Sequence, residues 1–347
     1  MNLVFRVDGD AKMGTGHVMR CLALAQALAK NDIKAHFVIS ASTQSICQGR
    51  QDWSGEVIVL PTNIAIGDEA KWLAKLCQDL QADALVLDGY QFDANYRKSV
   101  RELTPCLVLF DDNNDSGELH GDVIINGAEN AAELGYELSA TDAVLCLGAP
   151  YRVLRQEFVD LTTPMWVERQ ALGIMMGGSD PLNLTIPLLA ALQAQSQQGQ
   201  LAPIRLLTGP AYPFASQLKA FLSQTSLSIE HHANCQQVAE VFVQCRLVIS
   251  AAGSSQFELL ACQTPAILLV VANNQLNATV QAKAQGWCLM YDARDKLDFP
   301  SLADEILALY QNEQALEQMY QLSGQYKDTG GAQRVVEAIV QRCQDKE

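Results

Sequence analysis

Short apolar runs alternate with amphipathic, helix-like stretches along almost the whole chain. In the first half, residues 3–7, 34–39, 56–60, 84–87, 106–110, 122–125 and 143–146 read as strands, and residues 18–30, 69–80 and 93–103 as helices. Runs such as Ala84-Leu85-Val86-Leu87 and Leu107-Val108-Leu109-Phe110 show no polar alternation, which fits strands buried on both faces of a parallel sheet. A second series follows residues 151–169. Its strands are expected at 171–176, 204–208, 227–231, 247–250, 266–271 and 287–290, and its helices at 183–195, 214–225, 235–244, 254–262, 275–285 and 302–310. The Gln/Ser-rich stretch 193–199 reads as an exposed helix end and loop, and a last helix is expected over 332–343 after Gly330-Gly331. Strand–helix alternation of this kind predicts an α/β protein with two doubly wound, Rossmann-like domains. The expected division is 1–155, carrying a histidine loop, then 156–330, then a C-terminal helix in 331–347. Open α/β sheets bind ligands beyond the C-terminal ends of their strands, so an interdomain cleft is the expected site.

Composition narrows the function classes. With 49% hydrophobic and 18% charged residues, the chain fits compact folding rather than disorder. A formal net charge of −15 argues against nucleic acid as partner, because a phosphate backbone needs basic surface. A small anionic ligand needs only a local set of donors and stays compatible. The ten cysteines contain no CxxC pair and mostly lie in apolar runs, so they read as small buried hydrophobes in a reducing compartment. The chain opens on a strand without a basic-then-apolar leader pattern, and its longest apolar stretch, 266–272, is too short for a bilayer. A cytoplasmic monomer without membrane contact or cofactor is the expectation.

The chemistry concentrates in two glycine turns. Met13-Gly14-Thr15-Gly16-His17-Val18-Met19-Arg20 joins the first strand to the first helix. Bare backbone at Gly14 and Gly16 and the unpaired N–H groups of a helix start favour an anion. The same partial positive charge disfavours an imidazolium, so His17 is expected as a neutral imidazole able to accept a proton. The turn lacks the third glycine of a dinucleotide fingerprint and the Gly-Lys-Ser/Thr ending of a nucleoside-triphosphate loop. From these residues alone, catalytic, binding and packing roles for His17 all stay open. Ser250-Ala251-Ala252-Gly253-Ser254-Ser255-Gln256-Phe257-Glu258 is a second strand–turn–helix. Gly253, Ser254 and Ser255 offer donors to phosphate, and Glu258 could reach ribose hydroxyls; equally, Ser254 and Glu258 could form a capping box. Gly177-Gly178-Ser179 opens the second domain and could face the same space as Gly14–His17. Asn273-Asn274-Gln275 places amides after the next strand.

With its glutamate and Asn/Gln segment, the second turn resembles the nucleotide half-site of GT-B enzymes, especially the UDP-GlcNAc transferase family of peptidoglycan synthesis. The whole set of blocks resembles the UDP-sugar hydrolase family of pseudaminic acid biosynthesis. It comprises Arg6-Val7-Asp8 and Met13–Leu22, Leu87-Asp88-Gly89-Tyr90, Phe110-Asp111-Asp112-Asn113, Ile124-Ile125-Asn126, Gly148–Phe158, Gly177-Gly178-Ser179-Asp180 and the Glu258 turn, in one order from about residue 3 to 290. The resemblance implies a GT-B-like fold and hydrolysis of UDP-2,4-diacetamido-2,4,6-trideoxy-β-L-altropyranose to UDP and free sugar, destined for flagellin or surface glycans. It implies that His17 activates water, that Tyr90 and Asn274 line the sugar or phosphate, and that Glu258 holds ribose. Gln275 is taken with Asn274, and Arg155 is assigned to the pyrophosphate. Arg20, one turn beyond His17, is a candidate ligand residue or a packing and pairing support of the turn. The chain departs from the family at Val7-Asp8-Gly9-Asp10-Ala11-Lys12, where Ala-Asp followed by small residues is expected.

Two rivals share the UDP site: a GT-B glycosyltransferase passing the sugar to an acceptor, and a non-catalytic nucleotide-sugar-binding protein. Asp8-Gly9-Asp10 and Asp111-Asp112-Asn113-Asn114-Asp115 could offer oxygen ligands to Mg²⁺. Loop acids at strand ends more often cap helices or close Asx-turns, so no metal is expected. His231-His232 have no third ligand nearby in sequence and read as a strand end.

Overall fold

A computed structural model of the chain describes residues 1–10, 13–64, 66–197 and 201–346. Ala11 and Lys12 of the first loop, and the end of the Gln/Ser-rich stretch at 198 and 199, lie outside the described residues. The chain forms two compact units. The first holds Met1–Asp10, Gly16–Gln156 and Asp328–Glu347; the second holds Ala11–Thr15 and Glu157–Lys327.

The first unit contains β1 (Asn2–Val7), β2 (Lys34–Ile39), β3 (Glu56–Val59), β4 (Ala84–Asp88), β5 (Leu107–Phe110), β6 (Val123–Asn126) and β7 (Val144–Leu147). They form one parallel sheet in the order β3-β2-β1-β4-β5-β6-β7. Alternate residues of the central strands enter different cores, which explains the unbroken apolar runs. Leu3, Phe5 and Val7 pack with Val18 and Leu24 of helix Gly16–Ala29 and with Val335 and Ile339 of helix Gly331–Gln344. Val4, Leu85 and Leu87 pack on the opposite face with Leu73 of helix Glu69–Asp79 and Val100 of helix Ala94–Arg101.

The final helix is thus an integral part of the first unit's core rather than a separate C-terminal piece. Its apolar face, Ala332, Val335, Val336 and Ile339, is buried against that sheet, helix Gly16–Ala29 and the turn at Ala149–Tyr151. Gly331 makes the docking possible, since a Cβ there would stand 2.1 Å from the Arg152 carbonyl oxygen. At the other end of the helix, Arg342 and Lys346 join Arg101 around the buried carboxylate of Asp122.

The second unit contains β8 (Ala171–Met175), β9 (Ile204–Thr208), β10 (Ile229–Ala233), β11 (Cys245–Ala251), β12 (Ala266–Val270) and β13 (Cys288–Asp292). Its parallel order is β10-β9-β8-β11-β12-β13. Leu172, Ile174, Leu247 and Ile249 meet Leu188 and Leu192 of helix Thr185–Gln195 and Ile306 of helix Phe299–Gln311. Every strand lies within two residues of the run that predicted it. The helix expected at 235–244 shrinks to Val238–Phe242, following a left-handed Asn234 at φ 51°. Helix Glu313–Gln325 was not foreseen; its Gln-rich sequence buries only Leu316, Met319 and Ser323. No helix among the described residues is long and apolar enough to cross a membrane.

Candidate active site

In the first sheet the chain leaves β1 toward β2 and β3, then returns across β1 to add β4. The loops after β1 and β4 therefore diverge, and this switch point is where an open α/β sheet offers a crevice. His17 and Arg20 reach it from the first helix, and Asp88, Gly89 and Tyr90 reach it from the end of β4. The helix begins at Gly16, so His17 lies within its first turn. Gly14, at φ 85°, adopts a left-handed conformation that side chains resist; no atom lies within 4 Å of its Cβ position, so backbone angle rather than space selects glycine.

Three charged side chains lock together here. The Nδ1 atom of His17 is 2.7 Å from Asp88 Oδ1. Arg20 donates through Nε to Asp88 Oδ2 at 2.5 Å and through Nη2 to Oδ1 at 2.7 Å. Its Nη1 donates to Asp112 Oδ1 at 2.6 Å, and Tyr90 donates its hydroxyl to Asp112 Oδ2 at 2.5 Å. The Tyr90 ring stands edge-on to His17, centroids 5.0 Å apart and planes at 82°. Burial raises the Asp88 carboxyl, but Arg20 and His17 outweigh it and hold its pKa down at about 2. Burial likewise raises Asp112, and Arg20 and Tyr90 bring it below the usual range. Burial works against the charge on Arg20, yet Asp112 and Asp88 carry its pKa well above the ordinary arginine value. Asp88 is thus a buried anion held between two donors.

That geometry assigns the ring nitrogens. Nδ1 faces a carboxylate at 2.7 Å and an Arg20 Nη2 donor at 3.2 Å. The shorter, charge-assisted contact decides: Nδ1 carries hydrogen toward Asp88, so in the neutral ring Nε2 is the acceptor. Sequence reading named His17, Arg20 and Tyr90 but gave Asp88 and Asp112 no role in holding them. The available signal was a carboxylate directly after an apolar strand and before Gly89, but ending the strand at Leu87 hid it. Two of the acids considered as metal ligands, Asp8 and Asp111, have other partners. Asp8 pairs with Arg6 and accepts from Ser40 N, while Asp111 closes a turn on Asn113 N and Asn114 N and accepts from Tyr136. His231 meets Thr208 Oγ1 at 2.9 Å, and His232 lies 3.2 Å from Glu230, all at the β9 and β10 strand positions.

The second unit has its own switch point between β8 and β11. After β8, Gly177 (φ 75°) and half-buried Gly178 precede buried Ser179 and Asp180, whose two carboxylate oxygens accept from Leu184 N and Thr185 N to start the next helix. The Gly178 backbone lies directly against Gly209, leaving no room for a Cβ at Gly209. After β11, Ser254 is exposed and makes no side-chain cap, whereas the buried Ser255 hydroxyl donates to Ala251 O at 3.1 Å. Glu258 is half-buried on helix Ser255–Ala261. Gln275 comes within 3.7 Å of the Cβ position at Gly253 and accepts from Val271 N, so the turn and the amide segment meet; Asn274 lies beside it, half-buried. Arg155 lies at the end of the first unit, 5% exposed.

Comparison with known proteins places this architecture. Residues 174–335 match the glycosyltransferase family 28 C-terminal domain. An uncharacterized protein of Methanocaldococcus jannaschii is 26% identical over 78% of this chain, and the match spans only 55% of that longer protein. The UDP-2,4-diacetamido-2,4,6-trideoxy-β-L-altropyranose hydrolase of Campylobacter jejuni is 24% identical, covering 82% of this chain and 97% of the relative. The MurG structure from Acinetobacter baumannii superposes with a TM-score of 0.64 at 15% identity, over 98% of this chain and all of that one. The chain has the GT-B fold, two Rossmann-like α/β domains.

Proposed function

We propose that this protein hydrolyses UDP-2,4-diacetamido-2,4,6-trideoxy-β-L-altropyranose to free sugar and UDP, with His17 as general base. The observation that carries the reading is the contact of His17 Nδ1 with buried Asp88, which leaves Nε2 as the proton acceptor. The Campylobacter relative supports the substrate, and the family 28 match to residues 174–335 supports a nucleotide-sugar site in the second unit. There Gly178, Ser179, Gly253 and Ser254 offer donors to the diphosphate, Glu258 holds ribose, and Asn274 and Gln275 bind beside them. Ser255 contributes backbone N–H rather than its occupied hydroxyl. Arg155 acts on the pyrophosphate.

In this mechanism a water proton passes to His17 Nε2 as the water oxygen bonds to the anomeric carbon. The anomeric C–O bond to UDP breaks, and its electron pair leaves on the β-phosphate oxygen. One displacement opposite the leaving group inverts the anomeric centre. A positioned base typically contributes about 10² to 10⁴ in rate, and donors at the diphosphate stabilise the developing charge.

Purified protein incubated with a panel of UDP-diacetamido sugars should release both products in equal amounts. In ¹⁸O-labelled water the label should enter the sugar; label in UDP would exclude C–O cleavage. His17→Asn should keep UDP binding and lose most turnover, and near-normal kcat would remove His17 from the role. The family 28 match also favours a second reading, transfer of the sugar to an acceptor. Under that reading, UDP is released only slowly until an acceptor is added, and the sugar then appears bonded to the acceptor rather than free.

A further inference from the structure

Two thiols that the reaction at His17 does not use meet at the N-terminal edge of the first sheet. Cys106 immediately precedes β5, at the end opposite Asp111 and Asp112, and Cys343 lies in the last turn of helix Gly331–Gln344. Both are free cysteines, Cys106 fully buried and Cys343 half-buried against the same apolar core. Neighbouring contacts fix the helix end over this spot. Cys343 Sγ donates to Asp83 O at 3.7 Å, just before β4, and Lys346 Nζ donates to Pro105 O at 2.9 Å, just before Cys106. Leu85 N of β4 donates in turn to Cys106 O at 2.8 Å. The segments entering β4 and β5 thus hold Cys106 beside Cys343, and the two thiols hydrogen-bond to each other.

Cys343 differs in character from the cysteines of the sheet interiors. Burial pushes the thiols of Cys47, Cys77, Cys146 and Cys288 up to about 12. Such thiols stay protonated and inert. At Cys343 the hydrogen bond from Cys106 outweighs burial and the charges of Asp83 and Asp122, and with Lys346 it holds the pKa below the ordinary thiol value. The same hydrogen bond, together with burial, raises Cys106, which therefore keeps its hydrogen and is the donor. Thiolates rather than thiols attack oxidants, and an accessible, low-pKa cysteine with a second cysteine beside it is the arrangement of oxidisable pairs.

We propose that Cys106 and Cys343 are a peroxide-sensitive dithiol whose disulfide staples the last helix to the first sheet. The Cys343 thiolate attacks one oxygen of hydrogen peroxide; the O–O bond breaks, leaving a sulfenic acid and hydroxide. The Cys106 sulfur then attacks the Cys343 sulfur. The S–S bond forms, the S–O bond breaks, and the departing hydroxide takes the Cys106 proton and leaves as water. The two thiols lose two electrons in all, and one peroxide gains them. The new bond closes a loop that runs from β5 to the last helix through residues 157–327 of the second unit. A cross-link over so long a loop restricts the unfolded chain and stabilises the folded one.

The test is peptide mapping of the full chain after brief exposure to hydrogen peroxide, alkylation of the remaining thiols and digestion without reductant. Wild type should yield a linked Cys106–Cys343 peptide at least tenfold more abundant than any other cysteine pair. The linked protein should melt about 5 °C higher than the reduced protein, and dithiothreitol should reverse the gain. In Cys106→Ala, peroxide should leave Cys343 as a sulfenic acid that dimedone captures, with no thermal gain. Wild type carries the decisive measurement even if that variant does not fold. Cys343 recovered unlinked from oxidised wild type, a different pair linked in its place, or a linked protein that melts no higher than the reduced one overturns the inference.

Discussion

Replacing Asp88 by asparagine keeps the size of the side chain and removes its charge. Arg20 uses both Asp88 oxygens, at 2.5 and 2.7 Å, and His17 uses one of them. An amide has a single acceptor oxygen. The guanidinium binds it more strongly than a neutral imidazole does, which turns the amide N–H toward His17 Nδ1. Nδ1 then becomes the acceptor and the hydrogen moves to Nε2, the atom that takes the proton from water in the proposed mechanism. The expected loss in kcat is the contribution of a positioned base, about 10² to 10⁴, with KM and UDP affinity within threefold. Breaking a buried ion pair costs about 3–5 kcal/mol when a charge is left uncompensated. Arg20 keeps Asp112 at 2.6 Å, so the cost here should fall at or below the low end, and the variant should fold. Steady-state UDP release from pH 5 to 9, with a thermal melt on the same sample, makes the measurement. A folded Asp88→Asn enzyme with kcat within threefold of wild type at every pH would refute the tautomer argument.

The depressed Asp88 carboxyl also predicts an acid dependence of stability. Its folded pKa, about 2, lies below the unfolded value, so its contribution of about 2 kcal/mol is fully present above pH ~4 and fades as pH falls through about 2; denaturant melts of wild type and Asp88→Asn should converge over that window. Asp122 is 1% exposed and holds Arg101, Arg342, Lys346 and Leu107 N, so Asp122→Ala should destabilise the first unit by about 3–5 kcal/mol and loosen the final helix; an unchanged melting temperature would contradict this. Glu258→Ala should weaken UDP binding about tenfold or more. In calorimetry, 2′-deoxy-UDP should bind wild type more weakly than UDP does but bind the variant equally; a persisting difference would place the ribose contact elsewhere.

Much of the fold was legible because its signals are local. Apolar runs of four to six residues bounded by turn residues became the buried central strands, and the two sheet-edge strands Glu56–Val59 and Ile229–Ala233 were legible despite their exposure; all thirteen strands among the described residues fall within two residues of an expected run. Helix Glu313–Gln325 escaped because it buries few apolar side chains among many glutamines. The shortened helix Val238–Phe242 starts where tertiary context, through left-handed Asn234, overrides local propensity. His17 stood out by its place in a glycine turn, and Tyr90 by its place in the Leu87–Tyr90 block that carries part of the family resemblance. Their partners could not be read in the same way, because Asp88 is 71 residues from His17 and Asp112 is 92 from Arg20. Adjacency across such distances depends on which strands neighbour each other in the sheet.

By itself the sequence determined the alternation of strands and helices, the two-unit α/β architecture and the position of His17 at the turn from the first strand into the first helix. Those follow from backbone propensity and burial, which act within a few residues. Only the tertiary structure placed β4 beside β1, set Asp88 against His17 Nδ1, and folded the last helix back onto the first sheet. The proton-accepting nitrogen of His17 is therefore a property of the sheet order rather than of the turn that carries the residue.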